Sequence, residues 1–144
     1  MPLSVIKRIP LLLAALLVLS GCAYKYTTTF TVKNASERTI TVRVSEAGTD
    51  SGIIVFDLEP GRQRNIFTDS NKCPENYVPM DSYNADQMLP LVNDTAVLEI
   101  WVEGKKLSDD VRLRGLWHYF STDYAEKYTL SITEIVISDY SPAE

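Results

Sequence analysis

The residue pattern predicts an all-β domain, a two-sheet antiparallel sandwich of six to seven strands. Three observations predict it. Apolar residues recur with period two in short runs. Turn-forming residues punctuate those runs. No long stretch carries the 3.6-residue period of an amphipathic helix. The chain has 144 residues, 45% hydrophobic and 23% charged, which is the composition of one ordinary globular domain.

Tyr24, Tyr26, Thr28, Phe30 and Val32 alternate with Lys25, Thr27, Thr29, Thr31 and Lys33, giving a first strand with one apolar face. Asn34-Ala35-Ser36-Glu37 reads as a turn. Ile40, Val42 and Val44 then alternate with polar neighbours, and the two runs are expected to pair as an antiparallel hairpin. After a loop at 47–52, a third strand covers Ile53–Leu58 with Ile54, Phe56 and Leu58 inward. Glu59-Pro60-Gly61-Arg62 is a type II turn, because Pro fixes φ and Gly supplies the positive φ that follows. Gln63–Thr68 is the fourth strand.

Residues 69–95 break the rhythm: 27 residues with three prolines and little alternation. A connection of this length is usually functional or conceals an element. Ser82 is a candidate cap for a short helix from Tyr83 to Leu89, stopped before Pro90. Ala96–Val102 is a clear strand with Ala96, Leu98, Ile100 and Val102 on one face, followed by a turn at Glu103-Gly104-Lys105-Lys106. Leu107–Asp123 offers a strand near Val111–Leu113 and an aromatic cluster at Trp117, Tyr119 and Phe120. Lys127–Tyr140 reads as the last strand. Its apolar phase slips by one at Thr133-Glu134, as at a β-bulge or in a strand buried on both faces.

Charge narrows the function classes. Lys and Arg total 14 against 19 Asp and Glu, a net −5. An acidic chain is a poor match for a phosphate backbone, so no nucleic-acid partner is expected. One His and two Cys leave no stock for a zinc cluster or a multi-disulfide scaffold.

The N-terminus is an address. Lys7-Arg8 precedes an apolar run from Ile9 to Leu19 broken by Pro10, too short to cross a bilayer. It ends in Leu19-Ser20-Gly21-Cys22, which resembles the lipobox of bacterial lipoproteins. The resemblance implies that residues 1–21 are a signal peptide and that Cys22 is the lipid attachment site. Cys22 would carry a thioether-linked diacylglycerol and an N-acyl chain such as palmitate, holding residues 22–144 as a single sandwich on the membrane. Without Lys7 and Arg8, 12 cations then face 19 carboxylates, a charge of −7. Cys73 becomes the only other thiol: a buried apolar group, an exposed reactive one, or half of an intermolecular bridge.

The layout extends the likeness. The lipobox runs straight into Tyr24–Val32, a strand and Gly-Lys-Lys turn occupy Trp101–Lys106, and Tyr128–Thr133 reads Tyr-x-Leu-x-Ile-Thr. In this the chain resembles small lipoproteins common in Bacteroidales. That resemblance implies an immunoglobulin-like sandwich and brings no activity with it. In that group, surface export goes with acidic residues after the lipidated Cys. Ala23-Tyr24-Lys25 departs from this and implies a periplasm-facing protein, and Ala23 in place of Asp implies no retention at the inner membrane, hence the outer membrane.

No catalytic constellation is legible, and no enzymatic activity or cofactor is expected. His118 is the only imidazole, set between Trp117 and Tyr119, and no Gly-x-Ser-x-Gly occurs. Of the carboxylate pairs, Glu99 and Glu103 lie about 13 Å apart by strand rise, too far for a retaining glycosidase. Asp109-Asp110 reads as a solvated loop, and Asp81 with Asp86 falls in the long connection. Asp69-Ser70-Asn71 begins like a calcium loop but lacks its Gly and Glu. No metal site is expected.

Trp101 shares a face with Glu99 and Glu103. If exposed, these three are candidate glycan contacts; if covered, Trp101 belongs to packing or to an interface. Asp94-Thr95-Ala96 resembles a Bacteroidota O-glycosylation motif, making Thr95 a candidate modification site. The sequence therefore leads to a membrane-anchored module with an envelope protein or a glycan as partner. For a protein partner, the candidate contacts are the 69–95 loop and an exposed edge strand.

Overall fold

The computed structural model describes residues 25–45, 52–72, 84–89, 91, 96–122 and 125–142. Among these residues eight strands run in chain order: β1 (Lys25–Asn34), β2 (Ile40–Ser45), β3 (Ile53–Leu58), β4 (Gln63–Lys72), β5 (Leu98–Val102), β6 (Lys105–Lys106), β7 (Trp117–Ser121) and β8 (Ala125–Ile132). One sheet, A, has the order β4-β1-β8-β7, and the other, B, has β3-β2-β5-β6. The expected two-sheet sandwich is present. It has one more strand than expected, the two-residue β6, and one parallel pair, β1 with β8.

The core lies between the sheets. Phe30 and Val32 of β1 face Ile40, Val42 and Val44 of β2, all buried. Phe30 stacks on Tyr128 at 5.1 Å between ring centroids and meets Trp117 edge-on at 5.9 Å. These are the two arrangements that the ring quadrupole favours.

The expected β1–β2 hairpin does not form. β1 pairs with β4 and β8, and β2 pairs with β3 and β5 in the opposite sheet. Period-two alternation marks an apolar face without saying whether two such faces lie side by side or against each other. Asn34, fully buried, decides it. Its Nδ2 donates to the carbonyls of Arg38 and Leu58, both at 2.7 Å, and its Oδ1 accepts from the Ser36 amide at 3.0 Å and hydroxyl at 2.8 Å. Its own amide donates to Arg62 O, and its carbonyl accepts from the Gly61 amide. The chain thus turns from sheet A into sheet B after β1, and back again through Glu59–Arg62. The second turn has its predicted form, with Gly61 at φ +77° and the Arg62 amide on Glu59 O.

Two further expectations need correction. The slip at Thr133-Glu134 is neither a bulge nor double burial. β8 ends at Ile132 and an α-helix, α1 (Glu134–Tyr140), follows. The Thr133 hydroxyl caps it by accepting from the Val136 amide, and Glu134 lies in the positive first turn. Val136, Ile137 and Tyr140 then meet the core at helical spacing. The bulge is elsewhere, in β4, where the register with β1 shifts so that Ile66 and Phe67 are both buried. The expected strand near Val111–Leu113 is a pair of 3₁₀ turns, Asp109–Arg112 and Arg114–Leu116.

The long connection is shorter than expected, because β4 does not end at Thr68 but continues through Asp69–Lys72 in register with β1. Asn84–Gln87 is a turn, not the expected helix, and Met88 forms an isolated bridge with Leu113. Leu89 and Leu91 are buried in the core. The Arg112 guanidinium holds this segment by donating to Leu89 O and Ala96 O. Gly115 permits the close approach, since a Cβ there would lie 3.1 Å from Ala85 Cβ and Ala85 O.

Asn34→Ala would leave buried carbonyl and amide groups without partners, costing about 3 kcal/mol. Urea unfolding should show that loss. Asn34→Asp, which cannot donate to the two carbonyls, should lose at least as much.

Candidate functional site

β5 and β2 place the sequence-predicted residues on the outer face of sheet B. Thr41 lies opposite Trp101, and Arg43 lies opposite Glu99. The Trp101 indole donates to Glu99 Oε2 at 3.1 Å. The same carboxylate takes Arg43 Nη1 at 2.9 Å and Lys106 Nζ at 3.5 Å, and Lys106 continues to Asp109 at 2.9 Å. Trp101 is half-buried, neither an open platform nor a core residue.

The third predicted member is elsewhere. Glu103 occupies the β5–β6 turn at φ +50°, with Gly104 at +79°, as a two-residue hairpin of mirror-image geometry requires. It is exposed and pairs with Arg38, which also holds Glu134. Glu99 and Trp101 are thus brought together, and Glu103 is not with them.

Burial tends to raise the Glu99 carboxyl, but the Trp101 N–H, Lys106 and Arg43 outweigh it, so its pKa sits below the ordinary value. The Asp109 hydrogen bond raises Lys106 against a smaller effect of burial in the opposite direction, and the charges of Asp109 and Glu99 add to the rise. A carboxyl depressed on folding stabilises above its unfolded pKa of 4.5, and that contribution is lost as pH falls through the folded value.

The other nominated residues separate. His118 is exposed on β7. Cys22, Cys73 and Thr95 lie outside the described residues. Among the described residues no three His, Cys, Asp or Glu side chains gather as a metal site, and no helix is long and apolar enough to cross a membrane.

Two features were missed in the sequence. Glu126 of β8 is 1% exposed, held by the Tyr119 hydroxyl at 2.8 Å and the Thr28 hydroxyl at 3.3 Å. The signal was present: Glu126 is in phase with Tyr128, Leu130 and Ile132, one step before the predicted strand start. The second is the outer edge of β3. Ile53, Ile54 and Val55 are 42%, 38% and 55% exposed, although Ile54 was expected inward. Of the expected inward set, Leu58 is buried and Phe56 is half-covered, with the Arg64 guanidinium 4.2 Å over its ring.

No family model, curated protein or solved structure matches this chain.

Glu99→Gln should flatten the acid limb of stability. Melting temperatures from about pH 7 to about pH 3 should fall further for the parent than for the variant, the two converging at the acid end. Glu126→Ala strands the two hydroxyls and should cost about 1–3 kcal/mol in denaturant unfolding, with Glu126→Gln recovering part of it.

Proposed function

We propose that this chain is a lipid-anchored, non-catalytic interaction module of the bacterial outer membrane, facing the periplasm, and that an envelope protein docks on the edge of β3. The observation that carries this reading is the run Ile53-Ile54-Val55, exposed on a strand at the end of its sheet. An edge strand offers a row of backbone donors and acceptors, and soluble domains usually protect such edges with charge, proline or a bulge. Here the flank facing β2 is paired along its whole length, and the other flank has no strand beside it among the described residues.

The fitting partner is an extended segment that adds as a further strand, with β-branched side chains against Ile53 and Val55. Asp57, already taking the Thr41 hydroxyl at 2.6 Å, favours a cation at that end of the segment. The described part of the long connection supports this choice of surface over the 69–95 loop, because Leu89 and Leu91 are committed to the core.

The anchor reading is supported by Leu19-Ser20-Gly21-Cys22 after a basic and apolar leader. The non-catalytic reading is supported by the position of the lone His118, exposed on the face of sheet A opposite to that of Glu126. A glycan reading through Trp101 has weaker support. The indole N–H is already given to Glu99, and Glu103 points away from that pair to Arg38.

A photo-crosslinking residue at Val55, in cells expressing the full chain, should yield a discrete protein adduct. Val55→Lys should block partner capture, with stability changed by no more than about 0.5 kcal/mol because the site is exposed. Absence of any adduct at Val55, with adducts forming from Asn84, would move the docking surface to the long connection.

A further inference from the structure

The charge on this molecule is unevenly placed. The chain is acidic, yet the outer face of sheet A holds no carboxylate among the described residues. Register defines that face row by row. Thr68, Thr29, Lys127 and Phe120 form one row across β4, β1, β8 and β7; Asn65, Thr31, Thr129 and His118 form the next; Gln63, Lys33 and Ser131 form the third. The two acidic residues of the sheet, Asp69 and Glu126, are the register neighbours of buried Thr28 and belong to its inner side. Among the residues whose side chains are described, the face is therefore hydroxyl- and amide-rich, with Thr31 buried beneath its neighbours, Lys33 and Lys127 as cations and one aromatic, Phe120, 59% exposed. A shallow pocket of about 300 Å³ lies beside Phe120, bounded by Thr29, Asn65 and Lys127, and by Glu126, which is only 1% exposed and whose carboxylate is held by the Thr28 and Tyr119 hydroxyls.

Sheet A also begins at the anchor. Two residues, Ala23 and Tyr24, separate Cys22 from the first residue of β1, a reach of about 10 Å. The β7–β8 connection is at the same end as the start of β1, because Thr27 pairs with Ala125 and Ser121 with Glu126. Phe120 is thus one residue from the end of its strand on the side nearest the lipid.

We infer that the outer face of sheet A lies on the anionic leaflet that holds the lipid, with Phe120 entering the headgroup layer and Lys33 and Lys127 on lipid phosphates. The inference rests on the anchor reading. A face with no carboxylate among its described residues lets an acidic protein approach an anionic surface with little repulsion, and lysines near such a surface are attracted to it. An exposed aromatic ring suits the boundary between headgroup and acyl chain. The orientation turns sheet B, with its β3 edge, toward the aqueous side.

The test uses the full chain purified from membranes and reconstituted in vesicles of phosphatidylcholine with phosphatidylglycerol, part of it brominated near the headgroup. Phe120→Trp reports the sheet A face and Val55→Trp the opposite sheet, each read as the difference from the parent, whose Trp101 and Trp117 give a common background; both parent residues are exposed, so the larger ring is tolerated. The expected result is loss of Trp emission at 120, little loss at 55, and recovery of the 120 signal with K33E/K127E. A chain that floats with the vesicles but is quenched equally at both sites, at neither, or more at 55, overturns the orientation and leaves the anchor intact. A chain that does not float overturns both.

Discussion

A single buried side chain amide organises the topology. Asn34 uses both Nδ2 protons and both Oδ1 lone pairs inside the protein, and its backbone amide and carbonyl are bonded as well. Its partners come from Leu58 at the end of β3 and from two separate connections, 35–39 and 59–62, each of which carries the chain between the sheets. A fully satisfied polar knot in a dry site specifies one arrangement, because any other strand pairing would strand several polar groups without water. The next amide, of Ala35, donates to Ile132 O at the end of β8. The same corner therefore also fixes the parallel pairing of the first and last long strands.

That corner separates what was legible in the sequence from what was not. Alternation located β1, β2, β3 and β5 almost to the residue, and Pro60-Gly61 located the turn between β3 and β4. Alternation is a local signal, so it could not say that β1 and β2 face each other across the core. The information was in Asn34, which reads locally as an ordinary turn residue. At Thr133 the signal was present but ambiguous. A phase slip in an apolar run fits a bulge as well as a change of period, and only the Thr133 cap and the Val136, Ile137, Tyr140 spacing identify a helix. In the site, Glu99 and Trp101 were correctly placed on one face. The electrostatic network that occupies them was not readable, since Arg43 and Lys106 come from other strands.

The surfaces divide by sheet. Sheet B carries the ion-pair network of Arg43, Glu99, Lys106 and Asp109 and ends in the apolar edge of β3. Sheet A, on its outer side, carries hydroxyls, amides, lysines and Phe120. The end remote from β1's first residue gathers Arg38, Glu103 and Glu134 in exposed ion pairs of the kind that contribute little to stability. The proposed tethered role needs only such an asymmetry: one side compatible with a bilayer, another able to add a strand, and a core that holds the two apart.

The proposed membrane placement depends on acyl chains at Cys22, since without them nothing would hold the sandwich on a bilayer. The direct measurement is the intact mass and fragment spectrum of the N-terminal peptide from the protein isolated from its native membranes. The expected peptide begins at Cys22 and carries a diacylglyceryl thioether with an amide-linked acyl chain. A peptide beginning at another residue, or an unmodified Cys22, would contradict that placement.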